Sequence, residues 1–380
     1  MMALGNNKTI EKLNTWLRLL IKANGADLHI KTDSKIRARV KEEIVLLSNE
    51  VLDSESMENI VKLLTGRDYE TFLEDKEFDG AYTLDDTHRF RVNIYMHIGG
   101  YAIVMRLVPA SIQTIESLNL PPALHKLVQL KRGLVLITGT TGSGKSTTLA
   151  SIIQEINQTH AHHIISIEDP VEYVYHDDKS IVEQRELGLH TESFARALRS
   201  AMREDPDIIV VGEIRDMVTA EIILQAVNTG HLVFSTIHTP DTRETIDRLI
   251  AMFPTEEQNR VRSTLASTLE AVVSQRLLLG ADDQMIPAVE IMFRSPHIQE
   301  LIRTSRDAEI PETLDKEAAI FKTQSFNRAL YELTLADKIT EKQAYEYATS
   351  PADLKVMFTM SQEYEKKRHQ NDHLQELKLK

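Results

Sequence analysis

With 380 residues, 42% of them hydrophobic, the chain is long enough to bury two separate cores. A net charge of −13 argues against nucleic acid as a partner, and the lack of cysteine excludes disulfides, thiolate catalysis and cysteine-ligated zinc. No run approaches the ~20 consecutive apolar residues of a membrane span, so the sequence reads as a soluble, cytoplasmic protein with no integral membrane segment.

The opening stretch, MMALGNNKTIEKLNTWLRLLIKANG, has the pattern of an amphipathic helix, because Lys, Asn and Arg interrupt its apolar residues and no small-residue cleavage site follows. Helical spacing at 9–23 and 55–66, with the alternating segments RFRVNIYM and YAIVMRLV, predicts an α+β domain over 1–108 with a half-buried antiparallel sheet. Pro109 ends the strand pattern, and 109–117 read as a linker. From 118 the rhythm changes. Continuous apolar strands at 134–138, 164–168, 207–211 and 232–237, separated by helical segments, predict a parallel sheet covered on both faces. The second domain, 118–360, is therefore expected to be α/β, with a helical part over roughly 296–358. The charged tail, 361–380, reads as disordered or as a solvated helix.

The stretch GTTGSGKST, Gly139, Thr140, Thr141, Gly142, Ser143, Gly144, Lys145, Ser146 and Thr147, matches G-x-x-x-x-G-K-[ST] between an apolar strand and a helical segment. Glycines there let successive backbone N–H groups turn toward phosphate oxygens, while Lys145 reaches the β and γ phosphates and Ser146 Oγ can ligate Mg²⁺. This is the phosphate-binding loop of a nucleoside triphosphatase. Hydrolysis also needs a carboxylate at a neighbouring strand end to act on water. DPDIIVVGEIRD supplies Glu213 at such an end, and SIEDPVEY supplies Glu168, Asp169 and Glu172 at another, which also fit solvated loop charge. His231 and His238 bracket the strand LVFSTI, where a histidine can contact a phosphate; each alone also fits a structural histidine.

These segments carry a family resemblance. GTTGSGKSTT, SIEDPVEY, ALRSAMREDPDIIVVGEIRD and TGHLVFSTIHT resemble, in order, the Walker A, Asp box, Walker B and His box of the type II/type IV secretion ATPases. From GADLHI to about residue 350 the chain is similar to the PilT/PilU branch, the twitching-motility ATPases of type IV pilus retraction, in RFRVN, VEQRE, IDRLIAMFP, TQSFNRALYELTLADKIT and SPADL. The segment SPHIQELIRTSRDAE keeps Leu301, Ile302 and Arg303 of the branch's late motif but differs in its first half.

The resemblance implies a homohexamer with a PAS-like N-terminal domain and a RecA-like ATPase domain, binding ATP and Mg²⁺ between the two. It assigns phosphate and Mg²⁺ to Lys145 and Ser146, the attacking water to Glu213, and support of the metal or water to Glu168. It also brings Arg91 and Arg106 of the N-terminal domain, and Arg199 and Arg203, to the nucleotide. A guanidinium against the γ phosphate stabilises transition-state charge and makes hydrolysis depend on closure. The implied setting is the inner face of the cytoplasmic membrane, against a pilus platform protein and, in some cases, a paralogous retraction ATPase. An accessory paralogue that depends on another motor, and a type II secretion or pilus extension ATPase, are the alternatives.

Overall fold

The structure, a computed structural model, describes residues 2–41, 43–85, 88–108, 111–281 and 284–360. The charged tail read from the sequence lies outside the described residues. The chain divides into two units: Met1–Ser111 with Pro170–Val174 and Glu186–His190, and Ile112–Asp169, Tyr175–Arg185 and Thr191–Lys380. The short segments 170–174 and 186–190 thus group with the first unit, although they lie within the sequence span assigned above to the second domain.

In the first unit Leu13, Trp16, Leu17 and Leu20 recur at helical spacing and are all buried, which fixes one face of the helix Met2–Lys22. This helix begins well before residue 9. A second helix, Ser54–Thr65, starts where Asp53 accepts the N–H of Ser56 and buries Met57, Ile60 and Val61 at the same spacing. Both pack on six antiparallel strands, β1 (Gly25–Lys31), β2 (Lys35–Val40), β3 (Glu43–Val51), β4 (Glu77–Thr83), β5 (Arg89–His97) and β6 (Gly100–Leu107), in the order β3-β2-β1-β6-β5-β4. Phe90, Val92 and Ile94 alternate inward along β5, as the sequence pattern implies.

The second unit holds seven strands, β7 (Gly133–Gly139), β8 (His163–Glu168), β9 (Ile181–Glu186), β10 (Ile208–Val211), β11 (Leu232–Ile237), β12 (Leu269–Leu279) and β13 (Met285–Phe293), in the order β13-β12-β7-β11-β10-β8-β9. From β12 to β8 neighbouring strands are parallel, and β13 returns antiparallel to β12. Successive residues of these strands enter opposite cores. Leu134, Leu136, Ile165, Ile167, Ile209 and Val211 face one, while Val135, Ile137, Ile164, Ile208, Val210 and Phe234 face the other. Fully burying each such side chain stabilises the fold by about 1.5–3 kcal/mol, which is why both faces of these strands are apolar.

The mixed α/β architecture expected from the sequence is present. Residues 296–358 are helical, from Pro296–Arg303 through Ile310–Phe321, Phe326–Leu335 and Glu341–Tyr347 to Pro351–Met360. Strands β9, β12 and β13 are additions to the strand list drawn from the sequence. Parallel strands β7, β11, β10 and β8 therefore end side by side, at the edge where open α/β sheets bind ligands.

Candidate active site

Four chain segments leave that edge in succession, and each carries one of the sequence motifs. After β7 comes the glycine loop. Gly139 has φ 143°, and a Cβ there would lie 2.4 Å from Ser143 Oγ and 2.5 Å from the backbone oxygen of Gln275 on β12. Only glycine lets the loop pass this close to the neighbouring strand. Gly144, at φ 87°, caps the helix Lys145–Thr159 without any side-chain hydrogen bond, and the helix start, where anions bind most readily, faces the loop. The buried Lys145 Nζ donates to the carbonyls of Gly139 (2.9 Å) and Thr140 (3.0 Å), holding the loop in a cradle. Ser146 lies in the first turn of the helix, and Thr148, one turn in, accepts from Gln275 Nε2 at 2.8 Å.

After β10 comes Glu213. Its neighbours are fixed to the flanking strands: Gly212 N–H donates to Ile167 of β8 at 2.8 Å, Ile214 N–H to Thr236 of β11 at 3.0 Å, and Thr236 Oγ1 to Gly212 at 2.6 Å. The carboxylate of Glu213 accepts from Arg215 Nε at 2.9 Å and lies 3.4 Å from His238 Nε2. Arg215 also donates to Asp169 at 2.9 Å, so its guanidinium bridges two strand ends. The Glu213 hydrogen bond is the largest cause of a raised Arg215 pKa, with partial burial opposing it. Arg215 was not among the residues singled out from the sequence. Its position two residues after Glu213 is the signal that could have found it.

After β11 comes His238, whose Nδ1 lies 3.3 Å from Lys145 Nζ. His238 thus stands between the lysine and the glutamate. His231 does not join them. It precedes β11, at the opposite end of a six-residue strand and roughly 20 Å away, where its Nδ1 lies 3.0 Å from both the Ala226 carbonyl and Thr229 Oγ1. The sequence pattern put a histidine at each end of the strand, but only the carboxyl end of a parallel strand faces the site.

The last residue of β8 is Glu168, which accepts from Ser166 Oγ at 2.7 Å and Gln184 Nε2 at 3.1 Å. Asp169 follows it at the same edge, while Glu172 falls in the segment grouped with the first unit. The oxygen donors Ser146 and Glu168 suit Mg²⁺, which takes one or two protein ligands and completes its shell with phosphate and water. Arg199 and Arg203 are exposed on and just beyond the helix Phe194–Ala201, with no side-chain hydrogen bond or ion pair shown among the described residues. In the first unit Arg91 and Arg106 are register partners on β5 and β6. Arg91 is exposed, whereas Arg106 Nε donates to the buried Asp27 at 2.7 Å, which raises its pKa.

A strand-end phosphate loop with a lysine, histidine and glutamate in contact defines a P-loop nucleotide-binding site, and comparison with known proteins places it. The model of the type II/IV secretion system protein family matches residues 3–345, and the chain belongs to that family. It is 37% identical to the type IV pilus retractation ATPase PilT of Pseudomonas aeruginosa, over 87% of this chain and 96% of that one. The type IV pilus ATPase PilU of the same organism is 34% identical over 91% of each. Among solved structures, the pilus retraction motor PilT with bound ADP superposes with a TM-score of 0.83 at 37% identity, covering 89% of this chain and 97% of that one. Among the described residues no helix is long and apolar enough to cross a membrane.

Proposed function

We propose that the chain is an ATP-hydrolysing motor of type IV pilus retraction, acting as a homohexamer at the inner face of the cytoplasmic membrane. The observation that carries this reading is the contact of Lys145, His238 and Glu213 across the adjacent ends of β7, β11 and β10. It occurs in a chain that matches a retraction ATPase along nearly its whole length.

On binding ATP, Lys145 exchanges the carbonyls of Gly139 and Thr140 for the β and γ phosphates, and the helix start receives their charge. Glu213, aimed by Arg215, orients the attacking water and accepts its proton. His238 contacts both groups, so it reports whether a γ phosphate is present. Mg²⁺ held by Ser146 and Glu168 would neutralise charge on the β and γ oxygens. The antiparallel first unit serves as a PAS-like domain and the second as a RecA-like one. Arg91, Arg106, Arg199 and Arg203 are the cations through which closure would complete the site, Arg106 by leaving Asp27. Closure and reopening around the ring then convert hydrolysis into force on a membrane platform protein.

Deleting the coding sequence from its host and imaging labelled pili tests this. Retraction is expected to stop, to return with the wild-type chain and not with Glu213→Gln, and the purified protein is expected to have the mass of a hexamer. Unchanged retraction in the deletion strain, or a monomer in ATP, overturns the reading. Retraction that returns equally with Glu213→Gln would show that the chain serves another ATPase and not as a motor itself.

A further inference from the structure

The least explained group in the second unit is Glu290 on β13, a carboxylate with 3% exposure inside the apolar run IPAVEIMF. Burying a carboxylate costs several kcal/mol unless its bonds repay the loss of water, and an aliphatic residue would fill this strand position without that cost. What Glu290 does hold is the start of a helix. Its Oε1 accepts the backbone N–H of Thr242 at 2.9 Å, the first residue of the helix Thr242–Ala251. At the same helix end Asp241 accepts the N–H of Glu244 at 2.8 Å, and Thr245 Oγ1, which donates to the Asp241 carbonyl, also meets Thr239 Oγ1 at 2.7 Å. Only four residues, 238–241, lie between that clamp and the end of β11, and the first of them is His238.

We propose that Glu290 is a positioning residue for ATP turnover: it anchors the helix start and thereby holds the 238–241 loop so that His238 stays between Lys145 and Glu213. This rests on the ATPase reading given above. The surrounding charges bear on when the anchor is fully charged. Burial pushes Glu290 up to about 7, the Thr242 hydrogen bond opposes that most, Asp241 adds to it, and Arg276 on β12 opposes it. On the helices packed against β13, Arg243 pairs with Asp247, Asp315 accepts from Ser325, and Arg328 donates to Glu332. Below about pH 7 the protonated carboxyl is a weaker acceptor for Thr242, so the wild-type rate should fall there in a step that an uncharged amide cannot show.

The test uses the full chain with Glu290→Ala and Glu290→Gln. For Glu290→Ala, kcat is expected to drop roughly tenfold with KM for ATP within about twofold. Without nucleotide, amide hydrogen exchange should quicken across residues 238–245 and not across β7, β10 or β11. Glu290→Gln, a neutral acceptor like the protonated carboxyl, should hold at every pH a rate near that which the wild type falls to below pH 7, above that of Glu290→Ala, and so lose the fall. Wild-type exchange at 238–245 in Glu290→Ala overturns the proposal. So does exchange that quickens throughout the sheet, or a Glu290→Gln pH profile identical to the wild type. Should the wild type turn over no ATP at all, the ATPase reading fails, and the exchange measurement still decides whether Glu290 anchors the loop. If Glu290→Ala does not fold, the pH profile of Glu290→Gln decides.

Discussion

Glu213→Gln is expected to bind ATP within about threefold of the wild type while turnover falls about a thousandfold, the range for losing a general base. The amide matches the carboxylate in shape, and its oxygen can still accept from Arg215 Nε, which now bonds Glu213 at 2.9 Å. What it loses is the capacity to take a proton from water. Lys145 is held by the carbonyls of Gly139 and Thr140, contacts that an amide at position 213 leaves in place. Fluorescent-nucleotide titration and phosphate release on the same samples separate the two quantities. Turnover within tenfold of the wild type would remove Glu213 from the catalytic role.

Gly139→Ala should have the opposite signature, with binding lost first. The added Cβ would meet the backbone oxygen of Gln275 at 2.5 Å, and this backbone lies in β12, paired with β7 and buried. A side chain could swing away, but a strand in the middle of a sheet cannot. The φ of 143° adds strain of its own. Overpacking and strain together cost about 3 kcal/mol, which corresponds to roughly a hundredfold weaker ATP binding if the loop distorts to relieve them. Calorimetric titration with ATP checks the affinity. An affinity unchanged by the substitution would show that the loop can shift without losing its phosphate contacts.

How much of this was legible in the sequence follows from where each piece of information lies. The glycine loop, Glu213, Glu168 and His238 each sit directly after an apolar run, so a strand and its end could be read within a dozen residues. Strands β7, β8, β10 and β11 fall within a residue of the ranges read from that pattern. The strands that were missed carry mixed chemistry. Strand β12 contains Ser274, Gln275 and Arg276 and follows the helix Thr255–Thr268 with no turn residue between them, so neither composition nor punctuation marked it. Strand β13 hides Glu290 in its middle. Those polar residues serve partners distant in sequence: Gln275 reaches Thr148, 127 positions away, Ser274 accepts from Thr138, and Glu290 reaches Thr242.

His231 failed for a related reason. Strand direction relative to its neighbours decides which end faces the site, and direction is a property of the sheet, not of the strand. Arg106 is bound to Asp27, 79 positions away, by the antiparallel register of β1 and β6, which no local pattern displays.

The most direct measurement is phosphate release from the wild-type chain, purified alone and supplied with ATP and Mg²⁺. Many turnovers per chain, abolished in Glu213→Gln, are predicted. Tight ATP binding with no release until a second ATPase is added would contradict the claim that this site completes the reaction with its own residues.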